Sequence, residues 1–198
     1  MLSNARQAVG RALDPIAGAF VAARISANAL TVIGLAGTLV AAVFVAMGKF
    51  GIAAAFFVPS AFLDVFDGMI ARRMGTSSNW GALIDSVSDR IGEGAVLVAF
   101  SFRFRDVSPR VSVVAMAALV CSYLVSYVKA RAESLGFRCE GGLAERPERA
   151  ILYGTALLLV GAAEVAMWAL AVLAAVTVVQ RGLDVRRQAR ALRGAPPA

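Results

Sequence analysis

Two stretches of this chain are apolar enough to cross a membrane, yet they carry four aspartates, Asp64, Asp67, Asp85 and Asp89. Carboxylates at membrane depth are costly, so they turn towards a bundle interior and a partner. Their spacing then dictates the fold around them. Asp64 and Asp67 are i, i+3 and Asp85 and Asp89 are i, i+4, so each pair lies on one face of a helix. The connection from Arg73 to Trp80 carries Gly75, Thr76, Ser77, Ser78 and Asn79, a turn composition. Two antiparallel helices would aim all four carboxylates into one space. Arg72, Arg73 and Arg90 are too few cations to balance them. A divalent cation is the simplest compensation, and an all-oxygen set suits Mg²⁺, Mn²⁺ or Ca²⁺. Gly68 and Ala71 leave room for a ligand to approach, and Arg72 offers a fork for a phosphate. The combination fits phosphoryl-transfer chemistry. A non-enzymatic cation transporter, or a buried ion-pair network, would use the same carboxylates.

The apolar fraction, 59% without glycine, exceeds that of soluble domains and makes this a membrane protein. The expected fold class is all-α: an integral membrane bundle of six transmembrane helices preceded by an N-terminal amphipathic interfacial helix. Spans of about 20 apolar residues are expected at 28–48, 51–72, 81–102, 110–132, 148–163 and 165–181. Residues 4–23 interleave arginines, Gln7 and Asp14 with apolar residues, the pattern of a helix on a membrane surface. The chain thus divides into a juxtamembrane helix (1–24), a transmembrane domain (25–182) and a basic tail (183–198). Six spans put both termini on one side. Only Lys49, Arg103, Arg105 and Arg110 of the 20 basic residues then fall on the other side. The positive-inside rule places both termini and the aspartates at the cytoplasmic face of the cell membrane. The absence of histidine excludes histidine acid–base catalysis and His-ligated zinc. Cys121 and Cys139 are expected as free thiols.

The pattern D-x2-D-G-x2-A-R-x8-G-x3-D-x3-D is met by Asp64, Asp67, Gly68, Ala71, Arg72, Gly81, Asp85 and Asp89. It resembles the signature of the CDP-alcohol phosphotransferase family. Eight fixed residues at fixed spacing make a specific signal. The resemblance implies a CDP-diacylglycerol site that includes Asn28, Ala29, Leu30 and Thr31, similar to the family's P-N-x-L-T entry with Ala27 in place of proline. It also implies roles there for Gly68, Ala71, Arg72, Ser78 and Gly81. Asp64, Asp67 and Asp85 would hold one or two Mg²⁺ or Mn²⁺ ions, with Asp89 assisting and serving as general base. For Asn28 and Thr31, a helix cap and a satisfied helix hydroxyl are the plain structural alternatives.

A second cluster is cationic. Lys129 continues the helix face of Ser122-Tyr123-Leu124-Val125-Ser126-Tyr127, and Arg146 and Arg149 stand three apart at a helix start after Glu145. Helix N-termini bind anions, so a substrate carrying its own phosphate is expected. As a plain alternative these are positive-inside anchors. The segments 126–133, 141–149 and 179–181 resemble the actinobacterial phosphatidylinositol phosphate synthases. That resemblance implies an acceptor phosphate pocket of Ser126, Lys129, Arg131, Arg146, Arg149 and Arg181. It implies transfer of the phosphatidyl group to an inositol phosphate, giving phosphatidylinositol phosphate and CMP. Glycerol 3-phosphate also carries phosphate and remains an alternative acceptor. The same resemblance implies a homodimer among membrane lipids, and no nucleic-acid partner is expected.

Overall fold

The computed structural model describes residues 15–194, and every regular element among them is helical. The described part of α1 is 15–22. It is followed by α2 (Ala27–Ala46), α3 (Phe50–Arg73), α4 (Asn79–Phe104), α5 (Pro109–Ser134) and α6 (Arg146–Leu158). A 3₁₀ turn (Val160–Ala162) leads into α7 (Ala163–Gly194). Residues 4–14 of the expected amphipathic helix, and 195–198 of the expected tail, lie outside the described residues.

Local chemistry sets the helix ends. The Ser26 hydroxyl caps α2 by accepting from the Ala29 amide at 3.2 Å, and Ser78 caps α4 by accepting from Gly81 at 3.0 Å. Gly48 and Gly75 take positive φ, 74° and 63°, in the turns that follow α2 and α3. Pro109 and Pro147 sit in first turns, where no amide partner is lost.

The helices pack through small residues. Ala41, Ala53, Ala115, Ala118 and Ala156 are buried among Val45, Leu97, Phe100, Leu157, Met167 and Leu170. In lipid no hydrophobic force drives helices together, so close backbone approach has to supply the contact. Gly92 shows the need: a Cβ there would lie 3.1 Å from Thr38 on α2. A second cluster, Ala17, Leu30, Phe66 and Ile70, seats α1 on α2 and α3, with the Phe20 and Phe66 rings 5.6 Å apart. Large apolar residues such as Val32, Val113 and Val165 face outward, as a lipid-bathed surface requires. Cys121 and Cys139 are free thiols.

Among the described residues, four helical stretches are long and apolar enough to cross a membrane: α2, α3, α5 and Val160–Leu192. Two expected spans differ from this pattern. The 26-residue α4 has the length, but Asp85, Asp89 and Arg90 charge its first half and Glu93 its middle. Helix α6 ends at Leu158 after 13 residues rather than reaching 163. It is therefore about 20 Å long, short of a hydrocarbon core of about 30 Å. Helix α7 passes the expected end at 181 without interruption, because nothing from Gly182 to Gly194 breaks it and Asp184 and Arg187 pair at i, i+3.

Candidate active site

The turn at Gly75 reverses the chain, so the C-terminal part of α3 faces the N-terminal part of α4. This brings the aspartates together. One carboxylate oxygen from each of Asp64, Asp67 and Asp85 lies within 4.8 Å of the other two. Oxygen-only donors at this separation fit a hard divalent cation. Asp67 is 7% exposed and is oriented by Thr31, whose hydroxyl donates to its Oδ2 at 2.7 Å. Its other oxygen accepts from the Gly68 amide at 2.5 Å.

Asp89 stands apart from that trio. Its partner is Arg146, the first residue of α6, whose guanidinium contacts Asp89 and also both oxygens of Asp64. Arg90 lies 3.6 Å from Asp89, while its guanidinium donates back to the Ser86 carbonyl. Arg146 was expected in a phosphate pocket. It stands inside the carboxylate cluster, because the start of α6 lies between Asp64 on α3 and Asp89 on α4.

Two cavities open beside the aspartates. One, of about 320 Å³, is lined by Asp67 and Asp85 with Asn28, Thr31, Gly68, Ala71, Arg72, Ser78 and Gly81. Seven of the nine residues expected to hold CDP-diacylglycerol thus share one space. Leu30 lines the other cavity, and Ala29 lines neither. The second cavity, of about 300 Å³, is lined by Asp64, Asp89 and Arg146 at its polar end, with Ser88 and the buried Glu93 also on its wall. Leu35, Phe57, Val65 and Ile151 make its wall apolar. Thr31 borders both spaces.

The other expected phosphate ligands lie away from these two cavities. Lys129 is half-exposed on α5, 3.8 Å from Glu133, and Arg131 is exposed beside Ser134. Ser126 is half-buried one turn before Lys129. Arg181 is 5% exposed and donates to the carbonyls of Gly141 (3.0 Å) and Val125 (2.7 Å). Arg149 is also buried. Its Nε and Nη2 donate to the two oxygens of Glu93 at 2.8 and 3.1 Å, and its Nη1 donates to the Ala144 carbonyl at 3.0 Å.

Two roles escaped the sequence reading. Thr31 was expected to touch a ligand, yet its hydroxyl also orients Asp67. Glu93 carried a visible signal, a third carboxylate at i+4 from Asp89, but its partner is 56 residues away. The Thr31–Asp67 bond has a direct test. Thr31→Val keeps the shape and deletes the donor, so Asp67 loses one of its two partners. Loss of a hydrogen bond to a charged group corresponds to about 1.5–3 kcal/mol. Turnover should fall on the order of 10–100-fold, with the melting temperature nearly unchanged. Wild-type kinetics in this variant would leave Thr31 with a packing role only.

The described geometry has close counterparts. The CDP-alcohol phosphatidyltransferase family model matches residues 24–180. The chain is 34% identical over 203 residues to the phosphatidylinositol phosphate synthase of Mycolicibacterium smegmatis, covering 93% of this chain and 88% of the relative. It is 36% identical to that of Mycobacteroides abscessus, covering 94% and 89%. The fold superimposes on Mycobacterium tuberculosis phosphatidylinositol phosphate synthase with CDP-DAG bound. The TM-score is 0.78 at 32% identity, covering 88% of this chain and 94% of that one. The same enzyme in complex with manganese and citrate also gives 0.78 at 32%, covering 87% and 88%.

Proposed function

Because the chain belongs to the CDP-alcohol phosphatidyltransferase family, we propose that it transfers the phosphatidyl group of CDP-diacylglycerol to an inositol phosphate, releasing CMP. The observation that carries this reading is the shared cavity of Asn28, Thr31, Gly68, Ala71, Arg72, Ser78 and Gly81 around Asp67 and Asp85. Its small residues admit a pyrophosphate to the carboxylates, and Arg72 supplies a fork for phosphate oxygens. The named activity of the relatives over nearly the whole chain supports the acceptor.

Asp64, Asp67 and Asp85 would hold Mg²⁺ or Mn²⁺, which neutralises pyrophosphate charge when bound. The protein's own groups do the rest. Thr31 keeps Asp67 turned into the site. Arg146 holds Asp89 and Asp64 at the mouth of the second cavity. Asp89 accepts the proton of the acceptor hydroxyl. That oxygen bonds to the phosphorus bearing the diacylglycerol, and the bond from this phosphorus to the CMP oxygen breaks. In this reading Ser126, Lys129, Arg131, Arg149 and Arg181 serve the acceptor phosphate, together with Arg146 beside the aspartates.

The bundle crosses the cell membrane six times, with both termini and the aspartates cytoplasmic. The 1–24 surface helix, the 25–182 domain, the 183–198 tail and a homodimer complete the proposal.

The test is purified protein with CDP-diacylglycerol and Mg²⁺ or Mn²⁺, offered inositol phosphate, inositol, glycerol 3-phosphate and serine in competition. The expected result is metal-dependent CMP release with phosphatidylinositol phosphate as the dominant lipid. Phosphatidylglycerophosphate as the main product would transfer the acceptor assignment to glycerol 3-phosphate. Cation flux without CMP release would make the protein a transporter.

A further inference from the structure

Helices α4 and α6 are joined by two carboxylate–guanidinium rungs. Asp89 and Glu93 stand one turn apart on α4, and Arg146 and Arg149 stand one turn apart on α6. The upper rung, Asp89–Arg146, faces the second cavity. The lower rung, Glu93–Arg149, is buried deeper on the wall of the same cavity, with side chains 5% and 4% exposed. The two helices run in the same direction past each other, so the height of one rung determines that of the other.

The lower rung also reaches the loop that leads into α6. Arg149 donates to the Ala144 carbonyl at 3.0 Å, while the Ala144 amide donates to Thr177 Oγ1 on α7 at 2.9 Å. Both backbone groups of Ala144, two residues before Arg146, are therefore held. A bidentate guanidinium–carboxylate pair adds directional constraint as well as attraction. In a buried, apolar setting a bundle gains little net stability from such a pair over an apolar one of similar volume.

We propose that Glu93 is a positioning residue for the transfer reaction: through Arg149 it sets the register of α6 so that Arg146 meets Asp89 and Asp64. The inference rests on the phosphatidyltransferase reading. Glu93 itself touches no reacting atom in it. Its carboxylate locks the lower rung, and the lock is transmitted over one helical turn to the upper one. Misplacement of a catalytic group by about 1 Å can cost on the order of 100-fold in rate.

The experiment is a cycle read by CMP release. In one arm Glu93→Leu/Arg149→Met replaces the lower rung by apolar side chains, alone and on an Arg146→Lys background. The pair variant should melt near the wild type, yet lose on the order of 10–100-fold in kcat, with little change in CDP-diacylglycerol KM. On the Arg146→Lys background the same change should cost less than about twofold, because the upper rung is already loosened. Equal losses in both backgrounds, or normal kcat in the pair variant, would overturn the proposal. If the pair variant does not fold, Glu93→Asp keeps both charges, shortens the arm and is judged by the same cycle. Absence of CMP release by the wild type would instead defeat the functional reading.

Discussion

Asp67→Asn and Asp85→Asn are each expected to abolish CMP release while leaving the bundle folded. Asparagine keeps the side-chain volume and still accepts the Thr31 hydrogen bond at position 67 through its carbonyl. What changes is charge: one of three clustered carboxylates becomes a neutral amide that offers a hard cation a weaker oxygen. Deletion of a single preorganised electrostatic group in an active site costs about 10²–10³-fold in turnover. A lost metal ligand should cost at least that. Two measurements separate this outcome from misfolding. Mn²⁺ binding, followed by the paramagnetic signal of the free ion, should weaken in both variants. The melting temperature in detergent should stay within a few degrees of wild type or rise, because removing one of several like charges relieves repulsion. Full turnover in excess chelator, or unaltered Mn²⁺ binding in both variants, would remove the metal site from the carboxylate cluster.

Arg149→Ala should give the largest loss of stability of any single arginine replacement on α6. Glu93 would be left buried with no cation, and the Ala144 carbonyl would lose its guanidinium donor. Breaking a buried pair by removing one partner costs about 3–5 kcal/mol. For a chain of this size that corresponds to roughly 6–20 °C in melting temperature. Removing both charges with Glu93→Leu/Arg149→Met should recover most of the loss. The comparison also decides between two roles for Arg149. The residue patterns place it in an acceptor phosphate pocket, whereas its contacts join α4, α6 and the loop before α6. A variant with wild-type melting and a raised inositol phosphate KM alone would return Arg149 to the acceptor pocket.

The aspartate cluster was legible because its geometry is local. Spacings of three and four residues choose a helix face, and the Gly75 turn is short. Those spacings put each pair on one helix face, while α2, on which both α3 and α4 pack, holds the two faces at the separation that brings Asp64, Asp67 and Asp85 together. The same holds for the nucleotide cavity: Gly68, Ala71 and Arg72 continue the helix that carries Asp67, and Ser78 and Gly81 begin the helix that carries Asp85. The cationic residues are the opposite case. Arg146, Arg149 and Arg181 all look alike as basic residues near helix ends. Their actual partners are 82, 56 and 56 residues away: Asp64, Glu93 and the Val125 carbonyl. No spacing rule reaches that far; their charge suggests a phosphate, and only the family resemblance groups them in one pocket.

By itself, the amino-acid sequence determined that this chain is an all-helical membrane bundle, and which carboxylates face one another. Apolar length and helical periodicity act within single segments, and those terms are large in a bilayer where unpaired backbone and charge are costly. Tertiary structure alone decided which arginine meets which carboxylate. It placed Arg146 among the aspartates, committed Arg149 to Glu93 and used Arg181 to fasten the loop before α6. It also ended α6 at Leu158 and carried α7 on to Gly194. These outcomes depend on how helices distant in sequence pack, where each buried charge takes the nearest partner the bundle presents.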